Sequence, residues 1–265
     1  MTPEYKEVLT ELLFQLADDD FIHAFRGSEW LGLAPHIEED VAFSSINQDT
    51  MGHAVIYYKL LEDLGMGAAD DLAHLRDASA FRNGVLLEFK NGSGEYLDSP
   101  QYDWAFTVVR HLFYDVYKKI KLEALKQSNY EPLANAARKI LTEQTYHLMH
   151  WQTWFRQLMQ STEESRARME QALLRCWEDM GGVLTYGQYG DEMTALGLIG
   201  SEEALKNTWL AEITKLFSEV DYKKPSDEPK MAHGNGRNGE HSADLDHALK
   251  ILSEVYRSDS QASGW

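Results

Sequence analysis

Apolar positions recur at intervals of three and four residues over most of this 265-residue chain. That is the period of helices with one buried face. The first such run covers about 4–32 and is closed by the turn around Pro35. The second covers about 36–64 and stops at Gly65-Met66-Gly67. The period then breaks: residues 65–100 contain RNG, KNGSG and LDSP, all turn signals. Between them VLLEF reads as a short strand, with EYL as its hairpin partner. Helical spacing resumes over about 101–128, and Pro132 suits the first position of a helix over about 132–160. Further helices are predicted over about 163–181, ending at Gly181-Gly182, and over about 201–219. YGQYGDEM reads as loop or broken helix, and 221–240, with Pro225 and Pro229, as a loop. A last amphipathic helix is predicted over about 241–257, followed by a polar tail.

Two pairs of long helices separated by a long connection match a ferritin-like four-helix bundle with one crossover. The expected fold is all-α, a single ferritin-like domain over 1–265. Its core bundle would occupy about 4–160 and additional C-terminal helices about 163–257, with a small hairpin or loop insertion between the second and third long helices.

Composition narrows the function. The chain is 43% hydrophobic, and 7 Trp, 13 Tyr and 10 Phe supply bulky core material. Cys176 is its single cysteine, so no internal disulfide and no cysteine-only metal site can form; between Arg175 and Trp177 it reads as packing. The formal net charge of −18 argues against nucleic acid and anionic membranes as partners. No apolar run is long enough to cross a bilayer, and MTPEYKEVLTELL lacks the pattern of a signal peptide, so a cytoplasmic location is expected.

The long helices place polar groups beside their apolar stripes. The first leads through Phe14, Phe21, Ile22 and Phe25 to Glu29. The second carries Ala42, Ile46, Asp49, His53, Ile56 and Leu60; the third Trp104, Val108, His111, Asp115, Lys118 and Leu122. On the fourth, Ile140, His147, Trp151, Trp154 and Leu158 share a stripe edged by Glu143 and His150. Four carboxylates facing a core need compensation. Two divalent metal ions would supply it, with the imidazoles as ligands. So would an internal network in which Lys118 stands in for a cation and His53, Tyr146 and His147 donate or accept hydrogen bonds. Di-metal bundles use Glu-x-x-His, one turn apart. Here the third residue after Asp49 is Gly52 and after Glu143 is Tyr146; the imidazoles come one place later, at His53 and His147. That step turns each ring by about 100° and raises it by about 1.5 Å, which favours the network. His147 and His150 also read as an aromatic belt with Trp151 and Trp154, DDD at 18–20 as a solvated face, and Asn91-Gly92-Ser93-Gly94 as a turn rather than a phosphate loop.

GSEWLGLAPHIEEDVAFSSINQDTMGHA, starting at Gly27, resembles the ferritin-like C subunits of bacterial phenylacetyl-CoA epoxidases, multicomponent monooxygenases that epoxidise the aromatic ring. The matching motifs are the turn Gly27–Pro35 with Glu29-Trp30, Asp49-x-x-Gly52, Glu143-x-x-Tyr146-His147, the segment GRNGEHSADL near the C-terminus, and the final Trp265. The resemblance implies a non-catalytic protein that pairs with a catalytic A subunit, which it stabilises. The A subunit would carry the di-iron centre, a small B subunit would bridge the pairs, and a flavin and iron–sulfur reductase would deliver electrons. No cofactor is expected in the present chain, and a homodimer is left open for the chain in isolation. Glu29, Asp49, His53, Asp115, Lys118, Glu143, Tyr146 and His147 would then be a vestigial metal site. Gly236, Arg237, Gly239, His241 and Ser242 read either as a loop and helix cap, with Ser242 as N-cap, or as a contact for a partner or for CoA phosphates. The alternatives in other classes are an independent di-metal oxidase or oxygenase and a ferritin-like storage protein.

Overall fold

The structure is a computed structural model and describes residues 1–259 and residue 262; Trp265 lies outside the described residues. The backbone is overwhelmingly helical, with twelve α-helices among the described residues and one two-stranded sheet. The chain divides into two compact units, one formed by Met1–Lys90 with the segment from His233 onward, the other by Asn91–Ala232.

In the first unit, α1 (Pro3–Ser28) starts where Thr2 Oγ1 accepts a hydrogen bond from the Tyr5 amide at 3.2 Å, and Pro3 occupies its first position. α2 (Ile37–Asp63) is capped by His36 Nδ1, which accepts from the Glu39 amide at 3.2 Å. The two helices run antiparallel, since Gly27 abuts Asn47 while Asp18 bonds Tyr58. A Cβ on Gly27 would lie 1.9 Å from Asn47 Oδ1, so glycine leaves room for the Asn47 side chain between the helices there. Short helices α3 (Ala69–His74) and α4 (Val85–Glu88) follow. Much later come α11 (Ala243–Leu252) and α12 (Glu254–Ser258). The predicted last helix is therefore broken, at buried Ser253.

VLLEF is not a strand. Val85, Leu86, Leu87 and Glu88 form a fully buried helical turn, and a short continuous apolar run does not distinguish the two by periodicity. A hairpin does exist, but a few residues later: β1 (Gly92–Glu95) pairs antiparallel with β2 (Asp98–Tyr102).

The second unit begins with that hairpin. Asp103 then caps α5 (Trp104–Leu125), its Oδ1 accepting from the Phe106 amide at 3.2 Å. α6 (Glu131–Gln160) returns antiparallel: Arg138 Nη2 donates to Lys126 O at 2.9 Å, and Trp151 stacks on His111 at 4.5 Å. α7 (Glu163–Trp177), α8 (Met180–Leu184), α9 (Gly190–Ala195) and α10 (Glu202–Glu219) complete it. YGQYGDEM thus resolves into a broken helix: one 3-10 turn leading into α9. Phe113, Trp177, Trp209 and Phe217 make the aromatic centre of this unit, tied by Trp209 Nε1 donating to Phe113 O at 3.0 Å. Each unit thus holds one antiparallel pair of long helices, and the long connection between the pairs falls at 64–103, the element order of a ferritin-like chain. No helix among the described residues is long and apolar enough to cross a membrane.

Candidate functional site: a buried carboxylate network

The interior charges of the first unit are concentrated where a solvated face was expected. Asp18, Asp19 and Asp20 are all buried. Consecutive helical residues point about 100° apart, so three in a row can be buried only if α1 is enclosed around most of its circumference. It is: buried residues run without a break from Gln15 to Ala24. The isolated carboxylates would be costly there. Arginines from distant parts of the unit offset that cost for Asp18 and Asp19.

Asp18 Oδ2 accepts from Arg76 Nη1 at 3.0 Å and from the Arg82 amide at 2.8 Å, while Oδ1 pairs with Arg76 Nη2 and accepts from Tyr58 Oη at 2.6 Å. The Arg76 guanidinium also lies over the Phe81 ring at 4.0 Å. Burial disfavours its charge, but the Asp18 carboxylate and the Tyr58 phenol outweigh that and hold its pKa above the usual arginine value. Burial, and then the Asp18 charge, push the Tyr58 phenol well up, so it stays a donor. Asp19 receives Arg237 through both oxygens and the Gly84 amide at 2.9 Å. Burial first, then the charge of Asp20, raises the Tyr57 phenol in the same way.

A second cluster adjoins the first. Glu88 Oε1 accepts from the Ser242 amide at 2.6 Å; Oε2 accepts from Asn83 Nδ2 at 2.9 Å and meets His241 Nδ1 at 2.8 Å. His241 Nε2 faces Phe81 O at 3.0 Å. Fully buried Arg26 donates to Glu88 O at 2.8 Å, Asp244 O at 2.8 Å and Glu29 Oε1 at 2.9 Å.

The residues singled out in the sequence are distributed over the two units. Glu29 is half-buried at the end of α1 and paired with Arg26. On α2 Asp49 is half-buried and His53 buried; on α6 Glu143 is half-buried and His147 buried. Asp115 and Lys118 are buried on α5, the ammonium 5.8 Å from the centre of the Tyr114 ring. Tyr146 does not belong to the interior network assigned to it. It is 66% exposed, because the buried stripe of α6 passes through Ile140, Gln144, His147 and Trp151 and leaves position 146 on the outer face. Trp154 and Leu158 lie at the edge of that stripe, while Phe155 and Met159 are buried in it. His150 packs edge-on against Trp151 at 4.8 Å, as an aromatic belt.

In the C-terminal segment the polar groups engage the first unit itself. Arg237 is buried on Asp19 and also donates to Arg82 O. Gly236 presses on the Asn83 carbonyl, where a Cβ would come within 1.9 Å, and Gly239 takes a left-handed φ of 80°. Ser242 is the N-cap of α11, accepting from the Asp244 amide at 3.3 Å.

A di-metal centre asks for a carboxylate and an imidazole one turn apart on one face. At the two candidate positions the residue one turn on is Gly52 or Tyr146, and both are exposed. Among the described residues no group of three or more His, Cys, Asp or Glu side chains is placed to hold a metal ion. Neither α2 nor α6 therefore keeps the Glu-x-x-His spacing of a di-metal helix.

The sequence reading missed Arg26, Arg76, Arg237 and Glu88 as partners of interior charge. One signal was available. The neighbours of Asp18 and Asp20 at four residues either side are Phe14, Ile22, Leu16 and Ala24, all apolar, which is unusual for a solvated face.

An all-α chain with two antiparallel long-helix pairs and arginine-compensated interior carboxylates belongs to the ferritin-like class. Within that class it is a member of the phenylacetic acid catabolic protein family, whose model matches residues 1–265. It is 26% identical over 250 residues to the C subunit of 1,2-phenylacetyl-CoA epoxidase from Escherichia coli (strain K12), a match covering 94% of this chain and 96% of that protein. It is also 22% identical over 177 residues to the A subunit of the same epoxidase, covering 67% of this chain and 54% of that protein.

Proposed function

We propose that this chain is the non-catalytic structural subunit of a multicomponent di-iron monooxygenase that epoxidises the ring of phenylacetyl-CoA. In that role it pairs with a catalytic partner of the A type and stabilises it. A B-type subunit bridges the pairs, and a reductase acts indirectly through the catalytic partner. The chain needs no cofactor of its own, works in the cytoplasm, and acts as one ferritin-like domain.

The observation that carries this reading is the matching of interior carboxylates to arginines. Asp18 and Asp19 are each met by a guanidinium, so these two buried charges are neutralised by the chain's own side chains. A fold compensated in this way holds its shape without metal and can present a fixed face to a partner. The likeness to the Escherichia coli C subunit, over nearly the whole of both chains, supports the same role. So does the outer face of α2. Ile37, Val41 and Val55 are exposed on one stripe, Ile37 by 74% and Val41 by 67%. Ser44 and Gln48 lie between them, and no charged side chain interrupts the stripe. A stable contact of this kind buries on the order of 2,000 Å².

Co-expression with an A-type subunit tests the proposal. The two chains are expected to co-elute, the pair to turn over phenylacetyl-CoA when supplied with reductase, and this chain alone to show no turnover. Turnover by this chain alone, or a chain that stays by itself beside a folded A-type subunit, would overturn it.

A further inference from the structure

The hairpin of the second unit has a buried root, a largely exposed stem and an apolar tip. At the root, Asn91 is fully buried; its side-chain oxygen accepts from buried Arg110, and its carbonyl accepts from the Asp103 amide at 2.9 Å. A Cβ on Gly92 would lie 2.2 Å from Gln101 O, so glycine lets the two strands close at their base. Above the root the ribbon is exposed on both faces for most of its length. Such a ribbon has no core of its own and is marginal in water.

Glu95 lies opposite Asp98, so Tyr96 and Leu97 form the two-residue turn. Two-residue turns ordinarily take Gly, Asn or Asp, because the strand twist demands left-handed backbone. Here that demand is met outside the tip, at Gly94 (φ 75°) and Ser99 (φ 50°). Ser99 accepts a conformation that L side chains adopt at a cost. The tip positions are thereby released to two large apolar side chains: Leu97 is 93% exposed and Tyr96 42%.

We propose that this hairpin is a docking arm. Leu97, with Tyr96 beside it, enters an apolar socket on another protein of the assembly, and Glu95 and Asp98 meet Lys or Arg at the socket's rim. This inference rests on the partner-subunit reading above, and goes beyond it by naming a contact and the chemistry of its receptor. Charge complementarity selects the occupant. A second copy of this chain carries a net charge of −18 and is a poor match for a tip flanked by two carboxylates. A different protein with a basic-rimmed socket fits.

The test uses the full chain with co-expressed A-type and B-type subunits. Dissociation constants are measured for the wild type, Leu97→Asp, Leu97→Met and the double variant Glu95→Gln/Asp98→Asn, at low and moderate salt. Leu97→Asp is expected to leave the melting temperature of the isolated chain unchanged and to weaken the complex about tenfold or more, with Leu97→Met close to wild type. The double variant is expected to flatten the salt dependence. If the wild type assembles and Leu97→Asp assembles equally well, the arm is wrong and the partner-subunit reading stands. If the wild type does not assemble, both fall. If Leu97→Asp only splits a homodimer of the isolated chain, the occupant is a second copy and the proposal is overturned.

Discussion

Arg237 holds Asp19 with both terminal nitrogens, Nη1 to Oδ1 at 2.8 Å and Nη2 to Oδ2 at 2.9 Å, although 218 positions separate the two residues. The pair closes the first unit by fixing its C-terminal loop to the middle of α1. Two charges taken out of water are costly, and their attraction roughly offsets that cost only while both are present.

Removing one partner should therefore cost far more than removing the pair. Arg237→Met is expected to destabilise the chain by about 3–5 kcal/mol, because buried Asp19 loses the guanidinium that balances its charge. Asp19→Asn/Arg237→Met should recover part of that loss. Urea unfolding of the three proteins measures both effects; a single variant as stable as wild type would contradict the assignment.

Cys176 should behave as an inert thiol. It is fully buried on α7, and burial pushes its pKa up to about 12. Since the thiolate is the reactive form, iodoacetamide at pH 8 should label the native chain only as fast as it unfolds and the urea-unfolded chain promptly. Rapid labelling of the native chain would show that the residue is accessible.

His74 gives stability a pH dependence of definite sign. Burial lowers its pKa below the ordinary histidine value, and the Arg257 charge adds to the lowering, against an opposing pull from Asp70. The unfolded chain then takes up a proton at higher pH than the folded one. The stability contributed by neutral His74 is complete above the unfolded pKa, about 6.5, and is lost as pH falls towards the folded value. The ring stacks on Tyr256 at 5.0 Å, and its Nδ1 lies 3.3 Å from Ser253 Oγ, so the docking of α12 should weaken with it. His74→Gln should reduce the slope of stability against pH between about 7 and 5, and NMR titration should place the folded pKa below the ordinary value. An equal slope in the variant would contradict this.

The long helices were legible because their apolar spacing is regular and their ends carry strong signals: Pro3 and Pro132 near their starts, Gly65 and Gly67 at the close of α2. The short connection was not. VLLEF is too short for periodicity to separate helix from strand, and its one polar residue, Glu88, is buried along with Val85, Leu86 and Leu87. The burial of individual polar residues was only partly legible. His53 in the first unit and Asp115, Lys118 and His147 in the second are buried, and each lies on an apolar stripe visible in the sequence. Tyr146 missed the stripe by one position, and on a helix one position is about 100°. The Asp18–Asp20 run misled for another reason. Its compensating Arg76 and Arg237 are 58 and 218 residues from their partners, and nothing local announces pairings of that range.

Metal analysis of the purified full chain, expressed with supplemental iron and manganese, bears most directly on whether interior carboxylates are neutralised by side chains. The arginine-compensated interior predicts metal far below one equivalent and an unfolding midpoint that does not move on treatment with a chelator. Near-stoichiometric iron or manganese, lost together with stability in Asp49→Ala or Glu143→Ala, would contradict it.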